Sequence, residues 1–377
     1  MTRPDRMGAV AADVRRRLRP LLFSPRILGR LAFALRRVRP GREPRPFWGI
    51  VRTAVGGPAV RTRRMIAEFG NHLLTPNVIY AQSGWNADEL AGAVAFRRAG
   101  RAPLVFNQNG WYYPGWYNGD WKAANAAIVE AQRAADLVLL QSQFCLEAGR
   151  ALTGYEPRNY EVLHNAIPPF PHRNQTLQGD GRTVWLSAVF TPDSEHILKP
   201  AVQAMAILHR RHGQAAPHLL LAGRVDPATR TMPWFQAILG DIALLEADGG
   251  CRRLGEYCPD DLPRLASNAD VALHLKYKDP CPNAVIERMA LGLPHVFSNS
   301  GGTPELIGDA GIGLPVEDTW DRQVPVDPKA LADAIEWALA NRRRLSDAAL
   351  EASRRFSWDA YVARHRAVFT EVLGSFH

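Results

Sequence analysis

Two series of short apolar runs alternating with helical stretches, separated by one stretch without periodicity, constrain this chain more than any other feature. In the first series the runs Phe47–Thr53, Asn77–Ala81, Pro103–Asn107, Asp136–Gln141 and Tyr160–Leu163 have the length and β-rich composition of buried strands. Between them, Pro58–Phe69, Asp88–Arg98, Lys122–Ala134 and Gln143–Thr153 have helical length and period. Alternation of this kind predicts a parallel sheet covered by helices. Residues 168–182 (PPFPHRNQTLQGDGR) cluster Pro, Gly and polar residues, as an interdomain linker does. A second alternating series follows: Val184–Phe190, a helix over Ile197–His209, His218–Gly223, Ala269–Leu275, a helix from Asn283, and His295–Ser298. The expected fold class is α/β, with two Rossmann-like parallel-sheet domains facing a central cleft; ligands favour the carboxyl ends of such strands. A chain of 377 residues is also too long for one ordinary core.

Charge is distributed unevenly. Residues 1–45 hold thirteen arginines against Asp5, Asp13 and Glu43, a surplus of ten, whereas the whole chain carries +9. The body is therefore about one negative, which argues against a nucleic-acid groove. In the arm, Ser24-Pro25 resembles a helix start. Ile27, Leu28, Leu31 and Leu35 share one face and Arg26, Arg30 and Arg37 another, the pattern of a basic helix lying on an anionic membrane surface. A solvated arm, or a helix packed on the body, fits the same residues. No apolar stretch is long enough to span a bilayer, and arginines interrupt the early apolar run, so a cytoplasmic location is expected, peripheral at the inner face of the membrane if the arm binds there. Cys145, Cys251, Cys258 and Cys281 form no metal-like or disulfide-like framework and read as reduced thiols.

The chemistry concentrates in Lys278-Asp-Pro-Cys-Pro-Asn-Ala-Val-Ile-Glu-Arg-Met-Ala-Leu-Gly-Leu-Pro294. A strand ends near Leu275, Pro280 and Pro282 stiffen the loop, and a helix begins close to Asn283. Free N–H groups and the dipole at that helix start form a phosphate site. Glu287, one turn further on the same face, is placed to accept from ribose hydroxyls, and Asp279, in the loop, from hydroxyls of a sugar. An aspartate before proline is also an ordinary turn residue, and a helix glutamate an ordinary surface carboxylate.

This segment resembles the E-x7-E signature of the retaining GT-B glycosyltransferases of family 4, with Asp279 in place of the first glutamate. Met289–Pro294 and Ser300-Gly-Gly-Thr-Pro-Glu-Leu306 resemble the run that follows it in that family. Leu254-Gly-Glu-Tyr257 with Leu262–Asp270, Ala135–Ser142 with Val162–Ile167, Gly56-Gly-Pro58 and Phe356–Tyr361 resemble further elements in order, over roughly residues 47–375. The resemblance implies a GT-B fold divided into an arm (1–45), an acceptor-side domain (46–170), a linker (171–182), a nucleotide-sugar-binding domain (183–355) and a closing C-terminal helix (356–377). It implies that Asp279 and Glu287 are the catalytic-site carboxylates, Glu287 on the donor ribose and Asp279 on the transferred sugar. Backbone amides around Asn283, Ala284 and Val285 would hold the donor phosphates, and Gly255–Tyr257 would border the base. The implied activity is transfer, with retention, from a nucleoside-diphosphate sugar to a hydroxyl of a saccharide or lipid-linked acceptor in polysaccharide biosynthesis, with no cofactor and no required metal.

Two departures from the family pattern matter. The Arg and Lys expected against the diphosphate at the start of the second domain are absent from Ser187–Lys199, where His196 stands at the lysine's place. Arg224, Lys199, Lys276 and Lys278 are the candidate substitutes, and each is equally an ordinary solvated cation. The loop after a central strand of the first domain often carries a His in the family; here Gln108 or Asn109 stands there. The neighbouring Trp111, Tyr112, Tyr113, Trp116 and Tyr117 would serve either as a sugar-stacking platform or as packing. Gly57, Gln108, Asn109 and Trp111 are the candidate acceptor-side residues, with Gln82–Asn86 as another wall. Rival readings are a GT-B enzyme of other chemistry, such as a sugar-nucleotide epimerase or a phosphorylase, and a non-catalytic nucleotide- or glycan-binding protein.

Overall fold

The computed structural model describes residue 41 and residues 43–49, 57–170 and 181–376. The expected helix after Ser24, the end of the first strand run at residues 50–53, Gly56 and linker residues 171–180 lie outside the described residues. Two all-parallel sheets form. The first is ordered β1-β2-β3-β4-β5 (Pro46–Phe47, Val78–Gln82, Leu104–Gln108, Leu137–Leu140, Tyr160–Val162). The second is ordered β11-β10-β9-β6-β7-β8, with β6 Thr183–Phe190, β7 His218–Val225, β8 Cys251–Gly255, β9 Val271–His274, β10 His295–Ser298 and β11 Gly311–Leu314.

The first sheet is buried on both faces, which is why its strands read as continuous apolar runs. Phe47, Ile79, Ala81, Leu104, Phe106, Val138 and Leu140 point to one side, against helices Ala87–Arg98 (α2), Trp121–Ala134 (α3) and Gln143–Thr153 (α4). The alternate residues Val78, Tyr80, Val105, Leu137 and Leu139 point to the other. There they meet Met65 of α1 (Gly57–Phe69) and Trp358, Tyr361, Val368, Phe369 and Val372 of the last helix, Trp358–Ser375. The final helix thus crosses back from the second domain to complete the first.

In the second domain Glu195–His212 (α5), Pro233–Ala247 (α6) and Pro328–Ala340 pack on one sheet face. Leu262–Ser267 (α7) packs against Trp185, Leu220 and Ala272 on the other. Asn283–Ala290 is α8, and Thr303–Ile307 is α9. Strand order reverses where β6 lies between β7 and β9, so the loops leaving β6 and β9 splay apart and open a crevice at their carboxyl ends. The loop from Leu275 to Pro282, with α8 behind it, forms one wall of that crevice.

Candidate functional site

The helix that anchors the site begins without a cap. Pro282 precedes α8, no side chain bonds its first turn, and that turn holds no acid. The Val285 amide is bonded to the Pro282 carbonyl at 3.1 Å, so it is less available to a ligand than the sequence implies. The amides of Asn283 and Ala284 have no partner among the described residues. The arrangement leaves an anion-attracting end beside the crevice. Glu287 stands one turn on, half-buried; burial raises its carboxyl above the usual range, with Arg64 and Arg288 pulling the other way.

Asp279 is held more tightly than a loop aspartate would be. It is 8% exposed, with its carboxylate 3.2 Å from Lys276 Nζ and 3.5 Å from His274 Nε2. Burial favours its protonated form, but Lys276 and His274 outweigh that and hold the carboxyl well below its usual range. His274 is itself kept below its ordinary value by burial; Lys276 is therefore the charged partner. The loop lies in a backbone cradle made by the residues after β10. A Cβ on Gly301 would come within 2.5 Å of the Asp279 carbonyl oxygen, and one on Gly302 within 2.0 Å of the Pro280 oxygen. The Gly302 amide donates to the Asp279 carbonyl at 2.9 Å.

The proposed substitutes for the missing cations divide sharply. Lys199 is exposed and paired with Glu195 at 2.8 Å. Lys278 turns away from the crevice: it bonds Asp318 and lies 3.8 Å from the centre of the Trp320 ring. His196 is buried, with Nδ1 2.7 Å from the Asp193 carbonyl, and burial lowers its pKa to about 4, so it is neutral and replaces no lysine charge. Arg224 ends β7 at the carboxyl edge, with its Nε buried and unpartnered. Tyr257 bonds Ser187 Oγ at 2.9 Å. The same hydroxyl accepts from Arg288, whose guanidinium lies 4.5 Å from the Trp185 ring centre and whose Nε and Nη1 find no partner. Sequence reasoning missed Arg288, because an arginine within a helix carries no sign that it is 1% exposed.

Across the cleft, Gly57 opens α1 against α8: a Cβ there would lie 3.6 Å from Asn283 Nδ2. Carboxamides line the carboxyl edge of the first sheet. Gln108 is fully buried, donating to the Gly110 carbonyl and accepting from Gln132. Asn109 is only partly buried and accepts from Gln141 and from Arg61. Trp111 is packing, since its ring is 6% exposed and its Nε1 donates to the Cys145 carbonyl at 2.7 Å. Tyr113 is buried against Trp320 and takes a bond from Gln323, so it joins the domains. Only Trp116 of the aromatic group is largely open, stacked on Tyr112.

Further contacts seat the domains on one another. A Cβ on Gly110 would come within 2.8 Å of Pro280 Cγ. Asn165 donates to the Cys281 carbonyl at 2.9 Å. Glu305 on α9 accepts from the Gln143 and Phe144 amides at 2.7 Å each, capping α4 from the other domain, with His164 Nε2 3.3 Å away.

Residues 183–341, the second sheet with its crevice and α8, match the family described as Glycosyl transferases group 1. Over 85% of this chain and 82% of that one, the fold superposes on Anabaena HepE in complex with UDP, with TM-score 0.62 and 19% identity. The chain has the GT-B fold, and its residues 183–341 resemble the group 1 glycosyl transferases. A sucrose-phosphate synthase from Thermosynechococcus elongatus is similar too, with TM-score 0.60 and 17% identity over 84% of this chain and 78% of that one. Among curated proteins, the Bacillus subtilis spore coat protein SA is 33% identical over 105 residues, 26% of each chain. The D-inositol 3-phosphate glycosyltransferase of Corynebacterium efficiens is 24% identical over 173 residues, 45% of this chain and 38% of that one. The chain therefore matches well under half the length of these curated relatives. The matched segment contains the crevice residues named above, from Ser187 to Arg288. No helix among the described residues is long and apolar enough to cross a membrane.

Proposed function

We propose that this chain is a retaining glycosyltransferase that moves a sugar from a nucleoside diphosphate to a hydroxyl of a saccharide or lipid-linked acceptor. The observation that carries this reading is the uncapped start of α8 at the mouth of the crevice, with Glu287 one turn on and Gly57 of the first domain against it. Two unpartnered amides and a helix dipole suit a phosphate, and a carboxylate one turn along the same helix suits the adjoining ribose. Structures of HepE hold UDP and UDP-glucose, which supports a nucleotide-sugar ligand. Tyr257, Ser187 and Arg288 would border the base, and Asp279, ionised beside Lys276, would accept from a sugar hydroxyl. Among the described residues the first sheet's edge presents carboxamides, and His164 beyond β5 is engaged with Glu305, so none is placed to take the acceptor's proton. The departing phosphate is then the base, as front-face transfer with retention requires.

One observation favours a second reading, a binding protein without turnover: Lys199, Lys276 and Lys278 are all engaged with acids and His196 is uncharged. Calorimetric titration with a panel of sugar nucleotides, followed by NMR of the product anomer with saccharide and lipid-linked acceptors, decides between them. Donor binding followed by a product of unchanged anomeric configuration supports transfer. Binding without turnover favours the second reading, and no binding to any nucleotide removes the donor site.

A further inference from the structure

A buried arginine with no carboxylate partner stands opposite the helix start. Arg61, one turn into α1, is 4% exposed. Its Nη1 donates to Asn165 Oδ1, and its Nη2 to Gln82 Oε1 and Asn109 Oδ1, each at 2.9 Å. All three acceptors are neutral, and among the described residues Arg61 makes no ion pair. The surrounding groups at the sheet edge, Gln141, Thr62 and Asn107, are neutral as well. Carboxamide dipoles hold the guanidinium in place without cancelling its charge, and a charge kept from water without a counter-ion is costly. Such a group is retained where an anion visits.

Position narrows the anion. Gly57, one turn before Arg61, faces Asn283, whose Nδ2 would lie 3.6 Å from a Cβ placed there. Asn165, which accepts from Arg61, donates in turn to the Cys281 carbonyl, and its own amide lies 3.3 Å from the Cys281 sulfur. Arg64, the next residue on this face of α1, acts electrostatically on Glu287. Helix α1 therefore runs beside the donor loop from Cys281 to Glu287, with Arg61 tied through Asn165 to Cys281, two residues before the free amides of α8. Asn109, the outermost of the three acceptors, is open in part to the cleft.

We propose that Arg61 is the cation for the donor's phosphate, supplied by the first domain because the second leaves its lysines paired. This rests on the donor-site reading above. In the step itself the bond from the anomeric carbon to the phosphate oxygen breaks and its electron pair stays on that oxygen. The acceptor oxygen bonds the same carbon, and its proton passes to the phosphate. Negative charge grows on the phosphate throughout, and a preorganised guanidinium in a dry site favours that change. With the cation on one domain and the helix start on the other, the phosphate is fully held only when the two are closed.

The test compares Arg61→Met, Arg61→Lys and the unaltered chain by calorimetry with uridine, guanosine and adenosine and with their diphosphates. Loss of Arg61 should leave nucleoside affinity within about twofold and weaken the diphosphate about ten- to a hundredfold, the range for a hydrogen bond to a charged group. Arg61→Lys should recover part of that. Circular dichroism checks folding; if Arg61→Met does not fold, Arg61→Lys decides, with a diphosphate-only loss in support. Equal diphosphate preference in all three proteins, or a parallel loss of nucleoside and diphosphate, overturns the role of Arg61. So does a variant altered only in its KM for the acceptor, which would mark an acceptor anion. An unaltered chain that binds no diphosphate overturns the donor site itself, a separate outcome.

Discussion

The two walls of the cleft handle charge in opposite ways. The second domain's wall is rich in ionisable groups: Lys276 faces Asp279, Lys278 faces Asp318 and His196 is neutral, while Arg224 and Arg288 keep buried nitrogens without partners. The first domain's wall is almost all carboxamide, with one guanidinium that no acid pairs with among the described residues. A count of basic residues alone would favour the second wall for an anion. What matters is which charges already have partners.

Acid should disturb both domains most. His196 in the second domain and His365 in the first are held neutral by burial, His196 at about 4 and His365 at about 3, against 6.5 in the unfolded chain. Below pH 6.5 the unfolded chain binds protons that the folded one refuses. Their contribution is therefore complete above pH 6.5 and lost as pH falls towards 3, on the order of 3 kcal/mol for His196 alone. Urea midpoints measured from pH 7 to 4 should fall accordingly, and His196→Asn should flatten the slope; a midpoint independent of pH would mean that these rings are solvated. Next in size, Glu287→Ala should cost about 2–3 kcal/mol of diphosphonucleoside affinity by calorimetry with the fold intact. An unchanged dissociation constant would take the ribose from that wall. Gly302→Ala, forcing a Cβ within 2.0 Å of the Pro280 oxygen, should lower unfolding free energy by about 1–3 kcal/mol. The smallest effect belongs to Glu305→Ala, about 1 kcal/mol in denaturant for a lost helix cap.

The sequence carries most of the scaffold. His295–Ser298 and Gln143–Thr153 have the limits expected of them, and most other expected strands and helices shift by only a few residues at their ends. The exception is Phe47–Thr53, where the strand is Pro46–Phe47, Trp48 and Gly49 lie outside it, and residues 50–53 are outside the described residues. Period and turn residues are local signals, so a local reading finds them. Strands β8 and β11 are not evident: Cys251–Gly255 contains two arginines and Gly311–Leu314 two glycines, and only pairing with a neighbour makes them strands. The loop and helix start at 279–287 are legible because proline and the helix period mark them. The destinations of long side chains are not. Nothing local tells that Lys278 lies over Trp320, that Trp111 reaches Cys145, or that Arg61 meets three amides from separate strands. Those outcomes depend on what the fold brings near, and the arginines and lysines have the longest reach.

The carboxylate of Glu305 on the first turn of α4 has one more consequence. If the domains part to admit a donor or release a product, Gln143 and Phe144 lose their acceptor together and meet water instead. At a pH where chemical exchange outpaces reclosing, their two amide protons then exchange at the rate of opening, while the rest of α4 stays protected by its own helix. Two neighbouring backbone hydrogens thus keep time for the whole molecule, and their exchange gives the frequency of opening without a label or a ligand.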